Sequence, residues 1–254
     1  MAETLKYASD YSSSSVYLNE IVESKAFLNL ASAGGKLPVS VGKDMAGKPV
    51  VFDLADEFGI LISGATKQGK TVCMKAIVSS LMRECAPSDL KIAIFNAPGE
   101  KEYAEFGPLV RPFDDVVPFL QKLRAGNPFP HILVVIDMDM ESLTDNGFAD
   151  IVCELSECPD LRGIHIVLST LYPSEIPQSL KKCFRRKMAF RMLSREDSVS
   201  FLGKNGDAEW LKGHGDMLMK SGSSIRRVQC AAIPDGVSPC PYCDLTAYSI
   251  TLNK

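Results

Sequence analysis

No run of apolar residues in this 254-residue chain approaches the ~20 needed to cross a bilayer. Direct membrane insertion is therefore not expected. Charge of one sign is not in excess: 28 Lys and Arg against 31 Asp and Glu leave a formal net charge of -3. The chain is not a polycation, so nucleic-acid contact would have to come from a local patch or from an assembled ring. The opening residues, MAETLKYASDYSSSS, lack the basic stretch followed by an apolar one that marks a secretion signal. Histidine is scarce and dispersed, at 131, 165 and 214, and the C-x-x-C of Cys240 and Cys243 has no second C-x-x-C or H-x-x-x-H to complete a zinc site. The eight cysteines do not read as a disulfide framework, because six are scattered. Cys73, Cys85, Cys153 and Cys183 fall within apolar pattern, where a free thiol behaves as a small hydrophobe. A reducing cytoplasm is the expected compartment. Internal repeats are lacking too.

What remains is ordinary globular composition, 46% hydrophobic and 23% charged, enough for one large core or one core with a small appendage. Residues 1–15 are polar and Ser-rich and are expected to be poorly ordered. The spacing of apolar residues in 16–30 predicts a short amphipathic helix, broken by ASAGGK. Residues 37–54 alternate as two strands around a turn at Asp44–Lys48. Strand and helix then alternate: strands at 59–63, 90–96, 131–137, 163–170 and 186–192, helices at 71–85, 113–126 and 148–158. Continuous apolar strands separated by helices predict a mostly parallel sheet covered on both faces, an α/β fold. From residue 236 the pattern stops, and 236–254 reads as a C-terminal appendage carrying CPYC.

The segment GATKQGKT, residues 64–71, matches G-x-x-x-x-G-K-[ST], and it lies where that motif has meaning, after a buried strand and at the start of a helix. Glycines at 64 and 69 let backbone N–H groups turn inward onto a β-phosphate, and the positive end of the helix adds to the attraction. In this reading residues Gly64, Ala65, Thr66, Lys67, Gln68, Gly69, Lys70, Thr71 and Val72 form the nucleotide cradle. Lys70 reaches the β- and γ-phosphates, and Thr71 offers its hydroxyl to Mg²⁺. The second requirement is an acid at the end of an adjacent apolar strand, and HILVVID supplies Asp137. The next residue, where a working ATPase of this architecture carries a water-positioning carboxylate, is Met138; Asp139 and Glu141 are the substitute bases along the chain. ATP and Mg²⁺ are thus the expected cofactors.

Two weaker signals stand apart. KKCFRRK, 181–187, concentrates five positive charges, read first as a solvated helix end and second as a phosphate-contacting cluster in which Arg185 or Arg186 acts on a neighbour's nucleotide. Cys240 and Cys243 read first as part of an exposed tail, then as half of a shared zinc site, then as a redox pair. Trp210 is expected to pack.

At larger scale the segment LPVSVGKDMAGKPVVFDLADEFGILISGATKQGKT resembles the start of the motor domain of the FtsK/SpoIIIE DNA translocases. A typical member reads L-x-G-K-D-I-x-G-x-P-V-V-x-D-L-A before G-A-T-G-S-G-K-S. VVID, GIHIVLSTLYPS, KMAFRMLSREDS and GHGDMLM follow in the family's order, so the resemblance spans roughly 16–235. It implies a RecA-like domain that forms hexameric rings around double-stranded DNA and translocates it by ATP hydrolysis. The departures fall on chemistry. Lys67 and Gln68 replace Gly and Ser, Met138 replaces the acidic base, and Leu171 and Tyr172 replace a γ-phosphate-sensing Gln and an Arg. Phe148 and Ala149 replace the pore-loop lysines after Gly147, and Asp160 or Arg162 falls near the position of the trans-acting arginine. No counterpart of the family's winged-helix domain is read. The leading expectation is an ATP-driven translocase of double-stranded DNA. The alternatives are a hydrolysis-deficient scaffold partnering an active ATPase or a membrane-bound assembly, and a secretion-type ATPase of the same superfamily.

Overall fold

The computed structural model of the protein describes residues 15–96, 102–137, 147–203, 206–234, 238–240 and 244–251, and the elements below lie among these. The chain enters with a two-residue strand, β1 (Val16–Tyr17), and two short helices, α1 (Leu18–Val22) and α2 (Lys25–Ser32). The single helix expected over 16–30 is interrupted because Ser24 takes extended backbone and its hydroxyl accepts from Phe27 N at 3.3 Å, capping a new helix. The expected hairpin follows: β2 (Pro38–Asp44) and β3 (Pro49–Asp53) pair antiparallel. Asp44 Oδ1 accepts from Ala46 N and Lys48 N, both at 2.9 Å, and this closes the turn.

The expected βα alternation then follows, with one strand and two helices beyond those expected. β4 (Gly59–Ser63) leads to α3 (Lys70–Glu84), then β5 (Leu90–Asn96), β6 (Val110–Pro112) and α4 (Val116–Ala125). β7 (His131–Asp137), α5 (Phe148–Glu157), β8 (Ile164–Thr170), α6 (Gln178–Cys183), β9 (Arg186–Phe190) and α7 (Arg195–Leu202) complete it. The sheet is mixed and largely parallel. Its order is β3-β2-β11-β10-β9-β4-β8-β7-β5-β6, with β1 pairing β11 (Ser224–Ala232), and β10 is Asp216–Ser221. The parallel part runs from β9 to β6, and the antiparallel part is built by β10, β11 and the β2–β3 hairpin. The β10–β11 hairpin escapes the apolar pattern because it buries a charged pair: Arg227 Nε and Nη2 donate to Asp216 at 2.8 and 2.6 Å.

Both faces of the central strands are apolar, and period-two alternation divides them. Ile60, Ile62, Leu133, Val135 and Val167 pack against α3 on one face, whereas Leu61, Ile132, Val134, Ile136 and Leu168 pack against α4–α7 on the other. The N-terminal helices lay Leu18, Ile21 and Phe27 against Ala76 of α3 and Ala231 of β11.

The C-terminal segment, expected as an exposed tail, is instead packed. Cys240 and Tyr248 are buried in the α3-side core, with Tyr248 in α8 (Leu245–Tyr248), and Ile250 is buried in the core of the other face. Tyr248 Oη lies 2.7 Å from the carbonyl of Cys85 and 3.1 Å from that of Met82, and its one hydrogen serves an acceptor left open at the end of α3. Lys91 Nζ donates to Ala247 O at 2.6 Å. Cys240 is disulfide-bonded, whereas Cys73, Cys85, Cys153, Cys158, Cys183 and Cys230 are free thiols. Cys243 lies outside the described residues.

Candidate nucleotide site

The site forms where α3 meets the carboxyl ends of the parallel strands, the end at which open α/β sheets bind ligands. β4 delivers Gly64 at φ +150°, and a Cβ there would stand 2.7 Å from Phe190 Cβ. Gly69 caps α3 at φ +112°, where a Cβ would meet Gly215 Cα at 3.0 Å. Glycine is therefore required at both ends of the loop by conformation and by space. Lys67, where the resembled family has glycine, holds φ +61°. Its side chain lines the rim of the cavity and is exposed, and its cost falls on the backbone. The carbonyl of Gln68 accepts from Gly215 N at 3.0 Å, which ties the loop to the turn before β10.

Lys70 Nζ donates to the carbonyls of Gly64 and Ala65 at 2.7 and 3.1 Å, which suspends the ammonium over the loop. Thr71 Oγ1 lies 2.8 Å from Asp137 Oδ2, so the two residues separated by 66 positions that were expected to share a metal are in direct contact. The same hydroxyl lies 3.0 Å from Glu102 Oε2. A hydroxyl carries one hydrogen and can serve only one of these carboxylates at a time. Tyr103 Oη donates to Asp137 Oδ2 at 2.9 Å. Burial and the Asp137 charge push the ionisation of Tyr103 well above that of an ordinary phenol, so it stays a neutral donor.

The strand register explains what surrounds the loop. Asn96, Asp137 and Ser169 are paired neighbours across β5, β7 and β8, and by alternation all three share the α3 face. Asn96 Oδ1 and Ser169 Oγ are buried with no hydrogen-bond partner. Thr66, Lys67, Gly69, Lys70, Thr71, Val72, Glu102, Asp137, Ser169, Leu171 and His214 line one cavity of about 700 Å³. Two carboxylates, one hydroxyl and open buried oxygens suit a hard, hydrated cation with phosphate oxygens, a combination that needs few protein ligands. The residues present therefore fit a magnesium nucleotide.

Other sequence expectations fare differently. Met138, Asp139 and Glu141 lie outside the described residues. Leu171 lines the cavity; Tyr172 does not and is half exposed. Phe148 is buried in the core. The basic run 181–187 is only partly solvated. Arg186 is buried in a bidentate pair with Glu57 and stacks on Phe52 at 3.7 Å, and Lys181 Nζ donates to Ser200 Oγ at 2.9 Å. Arg186 is thus committed internally, while Lys182 and Arg185 face solvent. Trp210, expected to pack, is 67% exposed. Glu102 and Tyr103 were missed because EKEYAEF reads as a polar connection with no fixed spacing from the loop. The available signal was their place shortly beyond the strand that neighbours Asp137.

Fold and loop together define a RecA-like P-loop domain. Solved structures share this fold. The cytoplasmic domain of the Thermomonospora curvata type VII secretion ATPase EccC superposes with a TM-score of 0.72 at 17% identity, covering 92% of this chain and 34% of that one. The pCW3 conjugation coupling protein TcpA, solved with ATPγS, gives 0.68 at 18% identity, covering 87% and 70%. In sequence, residues 17–109 match the model of the FtsK/SpoIIIE family. The DNA translocase FtsK of Clostridium tetani is 30% identical over 263 residues, covering 87% of this chain and 35% of that protein. That of Clostridium acetobutylicum is 29% identical over 242 residues, covering 80% and 31%. The chain is a divergent relative of the FtsK/SpoIIIE proteins, and it spans about a third of the length of the curated relatives it matches.

Proposed function

We propose that this chain binds Mg-ATP in the 700 Å³ cavity and serves as a motor domain of the FtsK/SpoIIIE type, acting on double-stranded DNA as a ring of copies in the cytoplasm. The observation that carries the reading is the 2.8 Å contact between Thr71 and Asp137 at the mouth of a loop whose lysine is already suspended over it. Lys70 compensates phosphate charge, Thr71 and Asp137 hold Mg²⁺ and its waters, and the amides at the start of α3 face the phosphates. The sequence relatives are DNA translocases, which supports the choice of polymer. No helix among the described residues is long and apolar enough to cross a membrane.

A second reading, a nucleotide-gated scaffold without turnover, is favoured by Met138, since a thioether cannot take a proton from water, and by Leu171 and Phe148–Ala149 in place of the family's sensing Gln and pore lysines. Steady-state ATP hydrolysis with and without long duplex DNA, beside Lys70→Ala, separates the two. A motor shows DNA-stimulated turnover that Lys70→Ala abolishes. Binding of ATP that raises the melting temperature without turnover establishes the scaffold, and stimulation by polypeptide in place of DNA would move the domain to the secretion class.

A further inference from the structure

The residue after Asp137, where a water-activating acid is expected, is Met138 in sequence, yet a carboxylate from elsewhere in the chain stands at the Thr71–Asp137 pair. Glu102 Oε2 lies 3.0 Å from Thr71 Oγ1, the hydroxyl that Asp137 Oδ2 contacts at 2.8 Å. Glu102 lines the same cavity and is exposed to it, so a water there is within its reach. Asp137 Oδ2 already accepts from Tyr103 Oη at 2.9 Å and faces Thr71 Oγ1 at 2.8 Å, which crowds it for the task. The position of Glu102 is set by its neighbour. Tyr103 is buried, bonded to Asp137, packed 6.2 Å from Phe106 and covered by Lys75, whose ammonium stands 5.6 Å from the ring centre. The anchored tyrosine holds the adjacent glutamate at the cavity mouth.

We propose that Glu102 is the general base of this domain, replacing the acid that Met138 displaced. The inference rests on the Mg-ATP reading above. In the step assigned to it, one O–H bond of a water in the cavity breaks and its proton passes to the Glu102 carboxylate. The water oxygen forms a bond to the γ-phosphorus as the bond from that phosphorus to the β,γ-bridging oxygen breaks. ADP leaves with the bridging oxygen, and the proton is later released from Glu102 to solvent.

The test compares the full chain with Glu102→Gln and with Glu105→Gln, a surface carboxylate paired with Lys75 at 2.8 Å and outside the cavity lining. Affinity is read with a fluorescent ATP analogue and Mg²⁺, single-turnover hydrolysis is followed with and without duplex DNA, and nucleotide retained by the protein is identified by chromatography. The expected result is unchanged affinity, retained ATP in place of ADP, and hydrolysis slowed by roughly 10²–10⁴-fold in Glu102→Gln, with Glu105→Gln at the wild-type rate. Equal rates in Glu102→Gln and wild type would overturn the assignment and leave the Mg-ATP reading standing. Loss of affinity together with rate would also overturn it, making Glu102 a metal-positioning group. Wild-type protein that binds ATP but never turns it over rejects the base and selects the scaffold. Wild-type protein that binds no Mg-ATP rejects the reading beneath both.

Discussion

Lys67 shows how one residue can depart from a motif without closing the site. Its backbone sits at φ +61°, where a side chain costs about 1–2 kcal/mol relative to the right-handed region, while its side chain stays at the rim. Glycine removes that strain but adds freedom to the unfolded chain, worth about 0.4–1 kcal/mol in the opposite direction. Lys67→Gly is therefore expected to leave stability unchanged or raise it by up to ~1.6 kcal/mol, at about 2–4 °C in Tm per kcal/mol for a domain of this size. Nucleotide affinity should be equal or higher. A lower Tm would show that the lysine makes a contact that outweighs its backbone strain. Glu102 and Tyr103 carry the opposite lesson at this scale: two residues with no motif around them converge on the motif's own threonine and aspartate.

Among the elements, the turn before β10 is tied directly to the loop. Gly213, His214 and Gly215 all hold positive φ, and Gly215 N donates to the carbonyl of Gln68. The turn is in turn held by Asp216, whose carboxylate accepts from Lys212 N at 2.8 Å and from the buried guanidinium of Arg227. Removing one member of a buried pair leaves an uncompensated charge, so Asp216→Ala is expected to destabilise the domain by about 3–5 kcal/mol in urea unfolding. In the fraction that stays folded, ATP affinity should fall because the loop loses its tether. Unchanged stability would mean that Arg227 finds water when its partner is gone. The hairpin that contains this pair was not legible as strands, because Arg226 and Arg227 interrupt the apolar alternation. The central strands β4, β5, β7 and β8 were legible because they are mostly apolar runs, whereas the three-residue β6 was not.

For the molecule as a whole, acid stability reads through His165. Its Nδ1–H faces the carbonyl of Glu57 at 2.8 Å, an acceptor only, so Nε2 must accept from His131 Nδ1 at 3.2 Å. Burial pushes His165 down to about 4, against an upward pull from the Glu57 carbonyl, and the neighbouring His131 also lowers it. Between that value and 6.5 the unfolded chain binds a proton that the folded chain refuses. Stability therefore rises with pH across this window and is lost as pH falls through it, by up to ~3 kcal/mol from this group. Urea unfolding at pH 7, 5.5 and 4.5 should show the loss. His165→Asn, which keeps a donor for Glu57, should flatten the slope; an equal slope in the variant would place the proton uptake elsewhere.

The amino-acid order alone determined the loop, the strand that feeds it, the helix it opens and the acid at the end of HILVVID, because each depends on local periodicity or on conformations open to glycine. It also carried the resemblance to the FtsK/SpoIIIE proteins, which the matches to the family model and to curated relatives bear out. Tertiary structure decided that Asn96, Asp137 and Ser169 stand in one row, that Glu102 reaches Thr71, that Arg186 is spent on Glu57 and that the C-terminal segment is packed. These depend on strand register and on contacts between residues 31 to 166 positions apart. No local pattern encodes such contacts: they arise when apolar burial brings distant segments together and the polar groups carried along must find partners there.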